Sequence, residues 1–332
     1  MTQAERLPAA GSTGERLRAL VRHAVLAPSS HNTQPWRFRV TGDSLELRAD
    51  PARRLPHVDP HDRELVISCG AALEHLCVAA RYFGATPVVE LCPSADEPGL
   101  LARLRLGDAH ASAPEDDALF AGMAHRHTWR RPFEPRPLPS ALLARLAAAA
   151  EAAGGHLEFV EAPGQRAALA ELIMEGDRRQ MAHPGFRHEL AEWLRPSDRA
   201  APDGIPGEAL AIGALTARLA PLVVRTFDLG HGQAAKDRDL TLDSPTLAVL
   251  ATPEDTRRDW LRAGRALARV LLLACDAGVR ASFLNQPIEV ATLRPRLAAL
   301  LGTPRAPQLL LRLGFAPEGR PTPRRPVEDV LD

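Results

Sequence analysis

Residues 63–84, RELVISCGAALEHLCVAARYFG, and residues 257–278, RRDWLRAGRALARVLLLACDAG, superimpose at one constant offset. Gly70 falls on Gly264, Ala72 on Ala266, Leu73 on Leu267, Leu76 on Val270 and Ala80 on Ala274. In the first stretch Leu65, Cys69, Ala72, Leu73, Leu76, Cys77, Ala80 and Phe83 recur at helical spacing, and a glycine, Gly84 or Gly278, stops each copy. A second pair repeats in the same order: Glu15–Ala27 lies over Ala141–Ala153, with Leu17 on Leu143, Leu20 on Leu146, Ala24 on Ala150 and Ala27 on Ala153. Ala and Leu are abundant, so one match carries little. Two ordered matches, each beside a strand, point to an internal repeat.

Outward from these helices the chain alternates helix and strand. Trp36, Phe38 and Val40 alternate with Arg37, Arg39 and Thr41, and Gly42-Asp43 turns the chain into Leu45, Leu47 and Ala49, which predicts a hairpin. A strand is expected over Thr86–Leu91, and the acidic, Pro-containing stretch from Pro93 to Asp117 reads as a boundary. A Pro-punctuated arm (Pro132, Pro135, Pro137, Pro139) then precedes a helix from Ser140, a strand at His156–Phe159, a buried strand at Ser244–Ala251 and a last strand at Gln308–Gly314. Between them, residues 181–243 are polar and irregular, with Gly204, Gly207, Gly230 and Gly232, and read as a lid-like insertion. Pro317–Pro326 has to be an extended arm. The expectation is an α+β chain of two fused halves, 12–120 and 121–332.

Composition narrows the function. The 332 residues carry 41 basic and 41 acidic side chains, so no overall field draws the protein to nucleic acid or anionic lipid, and an anion must be held locally. Cys69, Cys77, Cys92 and Cys275 lack C-x-x-C spacing and the density of a secreted disulfide framework, which favours free thiols in a reducing cytosol. Met1–Gly14 has no signal-peptide pattern. The apolar stretch Leu267–Val279 contains Arg269 and Asp276 and is too short to span a bilayer. A cytoplasmic protein is expected. His57 and His61 are four apart, but Pro60 breaks the helix a metal pair would need, so no metal is expected. G-x-G-x-x-G, G-x-x-x-x-G-K-[ST] and G-x-S-x-G are all absent, against a dinucleotide fold, a P-loop and an α/β-hydrolase.

Three segments can carry chemistry. Ala27–Trp36, in the first copy only, sets Pro28, Ser29, Ser30, His31, Asn32 and Gln34 in a loop whose donors and acceptors suit the edge of a planar heterocycle, or equally a hydrogen-bonded cap. The second copy runs through Gly154-Gly155 straight into its strand. His125–Phe133 places Arg126, His127, Thr128 and Arg130 ahead of the Pro-rich arm, either as a solvated basic run or as a pocket for a phosphate dianion. The third is the C-terminal arm, with Arg324 and Arg325 between Pro323 and Pro326.

The loop A-P-S-S-x-N-x-Q-P-W resembles the flavin-lining loop of the nitroreductase superfamily. Arg126, Thr128 and Arg130 are similar to the R-x-S-x-R segment that clasps the FMN phosphate there, with Thr in place of Ser. Arg324 matches the phosphate-binding Arg of the K-x-R-x-P close, while Thr322 stands where that family often has Lys. These motifs fall in the family's order only if two nitroreductase-like halves are fused, the first with the ring loop and the second with the phosphate arms. That arrangement, with the helix at Arg63–Leu73 and the P-T-P-R-R-P-V-E-D-V ending, resembles the Acg family of twin-domain FMN-binding oxidoreductases.

The resemblance implies a nitroreductase-like fold, internally duplicated into a pseudo-dimer that is a monomer in solution, with one FMN between the halves. By position, Leu284 and Asn285 match the stretch that runs past flavin N5, or else form an ordinary turn. The implied activity is NAD(P)H-linked hydride transfer through flavin N5, with no side chain assigned as a catalytic group. The alternative is an FMN-storing or sequestering protein whose 181–243 segment covers the flavin.

Overall fold

In the computed structural model, which describes residues 11–195, 201–207, 222, 224, 225 and 230–332, the helices are α1 (Thr13–Ala24), α2 (Arg63–Tyr82), α3 (Pro114–His125), α4 (Ser140–Ala152), α5 (Pro163–Ala182), α6 (Pro184–Trp193), α7 (Gly230–Leu242), α8 (Arg257–Asp276), α9 (Gln286–Glu289) and α10 (Arg294–Leu301). One sheet holds β1 (Trp36–Thr41), β2 (Ser44–Ala49), β3 (Ala85–Leu91) and β4 (Leu100–Ala109), ordered β1-β2-β4-β3. The other holds β5 (His156–Phe159), β8 (Thr246–Thr252), β9 (Val279–Phe283) and β10 (Ala306–Phe315), ordered β5-β8-β10-β9. Two-residue strands β6 (Leu194–Arg195) and β7 (Ile205–Pro206) pair in parallel apart from both sheets.

Neighbouring strands in both large sheets are antiparallel. Both follow the path helix, strand, strand, helix, strand, strand, and replacing β1, β2, β3 and β4 by β5, β8, β9 and β10 turns one strand order into the other. The sequence repeat is therefore a repeat of topology. α3 carries the chain across residues 120–121, and α5 to α7 are inserted between β5 and β8.

One expectation changes. β4 runs through the stretch read as a boundary: Leu104 and Leu106 alternate with Arg103 and Arg105, and flanking Pro, Asp and Gly residues hide that period of two. Val279–Phe283, a strand not among those expected, carries Arg280 and Ser282 as buried polar residues in a five-residue run. Of the lid-like insertion, residues 196–200, 208–221, 223 and 226–229 lie outside the described residues.

The matched glycines meet at the centre. α2 and α8 cross so closely that a Cβ on Gly70 would stand 2.3 Å from the Leu261 carbonyl oxygen, and one on Gly264 only 1.9 Å from that of Ile67. Both obstacles are helix backbone. Glu74, fully buried on α2, ties the crossing together through Arg81 (3.0 Å) on its own helix and Arg265 (2.8 Å) and Arg269 (3.2 Å) on α8. α2 is long and apolar enough to cross a membrane, but 89% of its apolar window is buried inside the fold. Substituting Gly264→Ala must push the helices apart, so we expect a loss of about 3 kcal/mol or more in urea unfolding, at the upper end of overpacking costs. An unchanged midpoint would mean that the crossing is looser than described.

Candidate functional site

A cleft between the halves is lined from one side by Pro28, Ser29, Ser30, His31 and Asn32, and from the other by Arg126, Thr128, Arg130, Asn285 and Arg324. The sequence places these segments far apart, and the pairing of α2 with α8 brings them together.

The loop after α1 is held in a demanding backbone. His31, Asn32 and Gln34 have φ of 51°, 56° and 52°, a left-handed conformation rare for residues with a Cβ. Hydrogen bonds impose it. Gln34 N–H donates to Ser29 Oγ (2.9 Å), the Ser30 hydroxyl donates to Glu64 (2.5 Å), and Arg53 donates to the Thr33 carbonyl (2.8 Å). Gln34 lies behind this loop and outside the cleft: its side-chain NH₂ donates to the Pro202 carbonyl (2.7 Å), and its Oε1 accepts from Arg325 N–H (2.8 Å).

Arg126 caps the C-terminal end of α3, where the chain turns extended. It then runs beside β9, with Trp129 N–H donating to the Ala281 carbonyl (2.9 Å). An extended chain alternates its side chains. Arg126, Thr128 and Arg130 line the cleft, while His127 does not, its imidazole lying against Gly319 and the His125 carbonyl. The same alternation corrects Leu284, which packs into an apolar cluster with Val160, Leu169 and Ile288, whereas Asn285 faces the cleft and accepts from Leu310 N–H (3.0 Å).

The cations have no anion. Among the described residues no carboxylate forms an ion pair with Arg126, Arg130 or Arg324, and the Nε atoms of Arg126 and Arg324 are buried without a partner. Their remaining contacts are to neutral oxygens, Leu26 carbonyl (3.2 Å) and Asn32 Oδ1 (3.2 Å) for Arg324. Burial pulls the Arg126 guanidinium down to about 10 and, helped by the charge of Arg126, Arg324 to about 9. Desolvated like charges side by side are stable only when an anion compensates them, and a phosphate dianion matches the paired donors. Thr322, in the place of a further cation, also lines the cleft.

Sequence reasoning missed the acidic part of the lining. Glu64 and Ser68 on α2, Gln180 on α5, and Gln286 and Glu289 on α9 form it, along with the apolar Leu267 and Phe283. One signal was available: Glu64 is an acid in the first turn of a mostly apolar helix. The described part of the insertion reaches the same cleft. Gly204, Ile205 and Pro206 line it, Asn32 Nδ2 donates to the Gly204 carbonyl (3.0 Å), and Asp203 pairs with both Arg53 (3.0 Å) and Arg195 (3.0 Å).

No protein-family model matches the chain. Two curated relatives match over nearly their whole length. "Putative NAD(P)H nitroreductase Rv3131" of Mycobacterium tuberculosis is 33% identical over 98% of this chain and 94% of its own. "Putative NAD(P)H nitroreductase acg" of the same organism is 30% identical over 96% of each. Among solved structures, the FMN and NADPH-dependent nitroreductase NfnB from a Sphigopyxis strain aligns with 64% of this chain and 97% of its own, at 21% identity and a TM-score of 0.42.

Proposed function

The chain belongs to the nitroreductase superfamily, in the family of Acg, and from that premise we propose that it is an FMN-dependent NAD(P)H oxidoreductase holding one FMN between its halves. The observation that carries the cofactor is the set of buried and half-buried guanidiniums, without an anion among the described residues, facing a strained loop of hydrogen-bonding groups. Arg126, Arg130 and Arg324, with the Thr128 hydroxyl, hold the phosphate; Ser29, Ser30 and Asn32 meet the ring edge, and Asn285 lies across from them. FMN, when bound, supplies the two-electron chemistry, taking and giving a hydride at N5. The protein positions it, neutralises its phosphate and controls which molecules reach its exposed face.

The repeated topology supports a duplicated origin, with halves 12–120 and 121–332, in which each half lacks what the other supplies. Such a chain needs no second copy to complete its site, so a cytoplasmic monomer is the expected form. Purified protein should be yellow, with one FMN released per chain on denaturation. Two FMN per chain, or FAD, would contradict the complementary halves. The activity itself is tested by steady-state NADH and NADPH oxidation with FMN-loaded protein and a quinone or nitroaromatic acceptor.

A second reading, a protein that stores or sequesters FMN, has one observation in its favour. Gly204, Ile205 and Pro206 line the cleft, and Gly204 bonds to Asn32 of the ring-lining loop, as a cover over bound flavin would.

A further inference from the structure

The acidic wall of the cleft has a composition that flavin binding does not require. Glu289, at the end of α9, and Glu64 line the same cleft, and Glu64 acts on the Glu289 carboxyl both by its charge and by a side-chain hydrogen bond. Hydrogen-bond donors reach both carboxyls. Glu64 Oε1 accepts from Arg63 (3.0 Å) and from Asn285 Nδ2 (3.1 Å), Glu64 Oε2 accepts from the Ser30 hydroxyl, and Glu289 Oε2 accepts from Gln180 Nε2 (2.5 Å). No donor is recorded for the remaining Glu289 oxygen among the described residues. Two carboxylates in contact repel, and one proton between them removes the repulsion and makes the missing hydrogen bond.

Glu289 also stands in the wall between two cavities. It lines the flavin cleft, and it lines a second cavity formed by Asp59, His61, Arg63, Trp260 and Arg294. A proton held there has the cleft on one side and a separate route to solvent on the other.

Resting on the oxidoreductase reading, we propose that Glu64 and Glu289 hold one shared proton and deliver it to the acceptor reduced in the cleft, Glu289 being recharged through the second cavity. The balance is simple for a quinone. A hydride brings both electrons and one proton, which leaves an oxyanion. The carboxylic O–H breaks, an O–H bond to the quinone oxygen forms, and the pair is left as two carboxylates until solvent returns a proton.

The surrounding charges agree with this role. Burial, and then the Glu64 charge, push the Glu289 carboxyl well above the ordinary range, with Arg63 opposing. Asp59, before α2, is pushed up to about 6 by burial and by Glu64. On the loop side, burial lowers His31 to about 4, so it is neutral, with Arg130 beside it. On α5 the nearest acid, Asp177, is bound by Gln286 (2.9 Å) rather than by either glutamate.

The test compares two acceptors after the bound flavin has been reduced with dithionite: a quinone, which takes up a proton with its electrons, and ferricyanide, which takes electrons alone. Glu289→Gln keeps the shape and removes the acid. Quinone reduction should slow ~100-fold or more, the scale of general acid catalysis, with ferricyanide reduction within about twofold of wild type. Formate should restore part of the quinone rate in Glu289→Ala. In the apo-protein at pH 7, the infrared carbonyl band of protonated carboxyls should lose intensity in Glu289→Gln relative to wild type, the remainder coming from Asp177, which burial and Asp237 push up to about 8. Equal slowing with both acceptors, or a band that Glu289→Gln leaves unchanged, overturns the shared proton while leaving the oxidoreductase standing. A wild type whose reduced flavin serves neither acceptor overturns both.

Discussion

Arg324→Ala should weaken FMN ~10- to 100-fold while leaving riboflavin affinity nearly unchanged. A charged hydrogen bond to a phosphate contributes about 1.5–3 kcal/mol, and every 1.4 kcal/mol is tenfold in affinity. Arg126→Ala should behave alike, and the double variant should approach the affinity of a ligand without its phosphate. The free protein should respond in the opposite sense. Arg126 and Arg324 are desolvated like charges with no carboxylate partner among the described residues, and each lowers the comfort of the other, so removing one should hold or raise the melting temperature of apo-protein. A substitution that merely damaged the fold would lower apo stability and weaken both flavins together. Equal losses for FMN and riboflavin in titrations followed by flavin fluorescence would show that these arms do not hold the phosphate.

What the sequence made legible follows from how local the signal is. The ring loop and both basic arms are short runs in which polar residues sit where no regular element needs them, and most of the residues singled out from them and from the 284–285 stretch line one cleft. The helical repeat was legible because Gly70 and Gly264 recur at matched positions, and the reason for both is one crossing of two backbones. Gln34, His127 and Leu284 were placed by motif, and motifs do not show direction. Along the extended chain at 126–130, alternation turns His127 away from the side that takes Arg126, Thr128 and Arg130. Gln34 serves the loop from behind. The Glu64–Glu289 wall was hidden for a different reason. Its members come from α2, α5 and α9, share no spacing, and acquire their chemistry only when tertiary packing desolvates them together. Strand β4 was lost to its flanks, whose Pro, Gly and Asp residues outweigh a clear alternation.

A large acceleration should come from loosening the cover over the loop. Asp203 is gripped by Arg53 and Arg195, the Asn32 side chain donates to the Gly204 carbonyl, Gly204 N–H donates back to the Asn32 carbonyl (3.3 Å), and Gln34 donates to Pro202. These contacts fasten the insertion around the loop beside Asn32, which would meet the flavin ring, with Gly204, Ile205 and Pro206 in the cleft wall, so a nicotinamide has to displace the segment, whereas a small reductant does not. Dithionite should bleach the bound flavin quickly and NADPH or NADH slowly. Asp203→Ala removes two half-buried ion pairs. At about 1 kcal/mol each, and if opening limits the reaction, nicotinamide bleaching should accelerate ~10- to 30-fold with the dithionite rate unchanged. Stopped-flow absorbance under anaerobic conditions measures both. Rapid bleaching of the intact protein by either nucleotide would refute the closed cover and with it the storage reading. Slow bleaching that Asp203→Ala leaves unaltered would mean that 202–206 is not the barrier, since the bonds that fasten the cover would then be irrelevant to its opening.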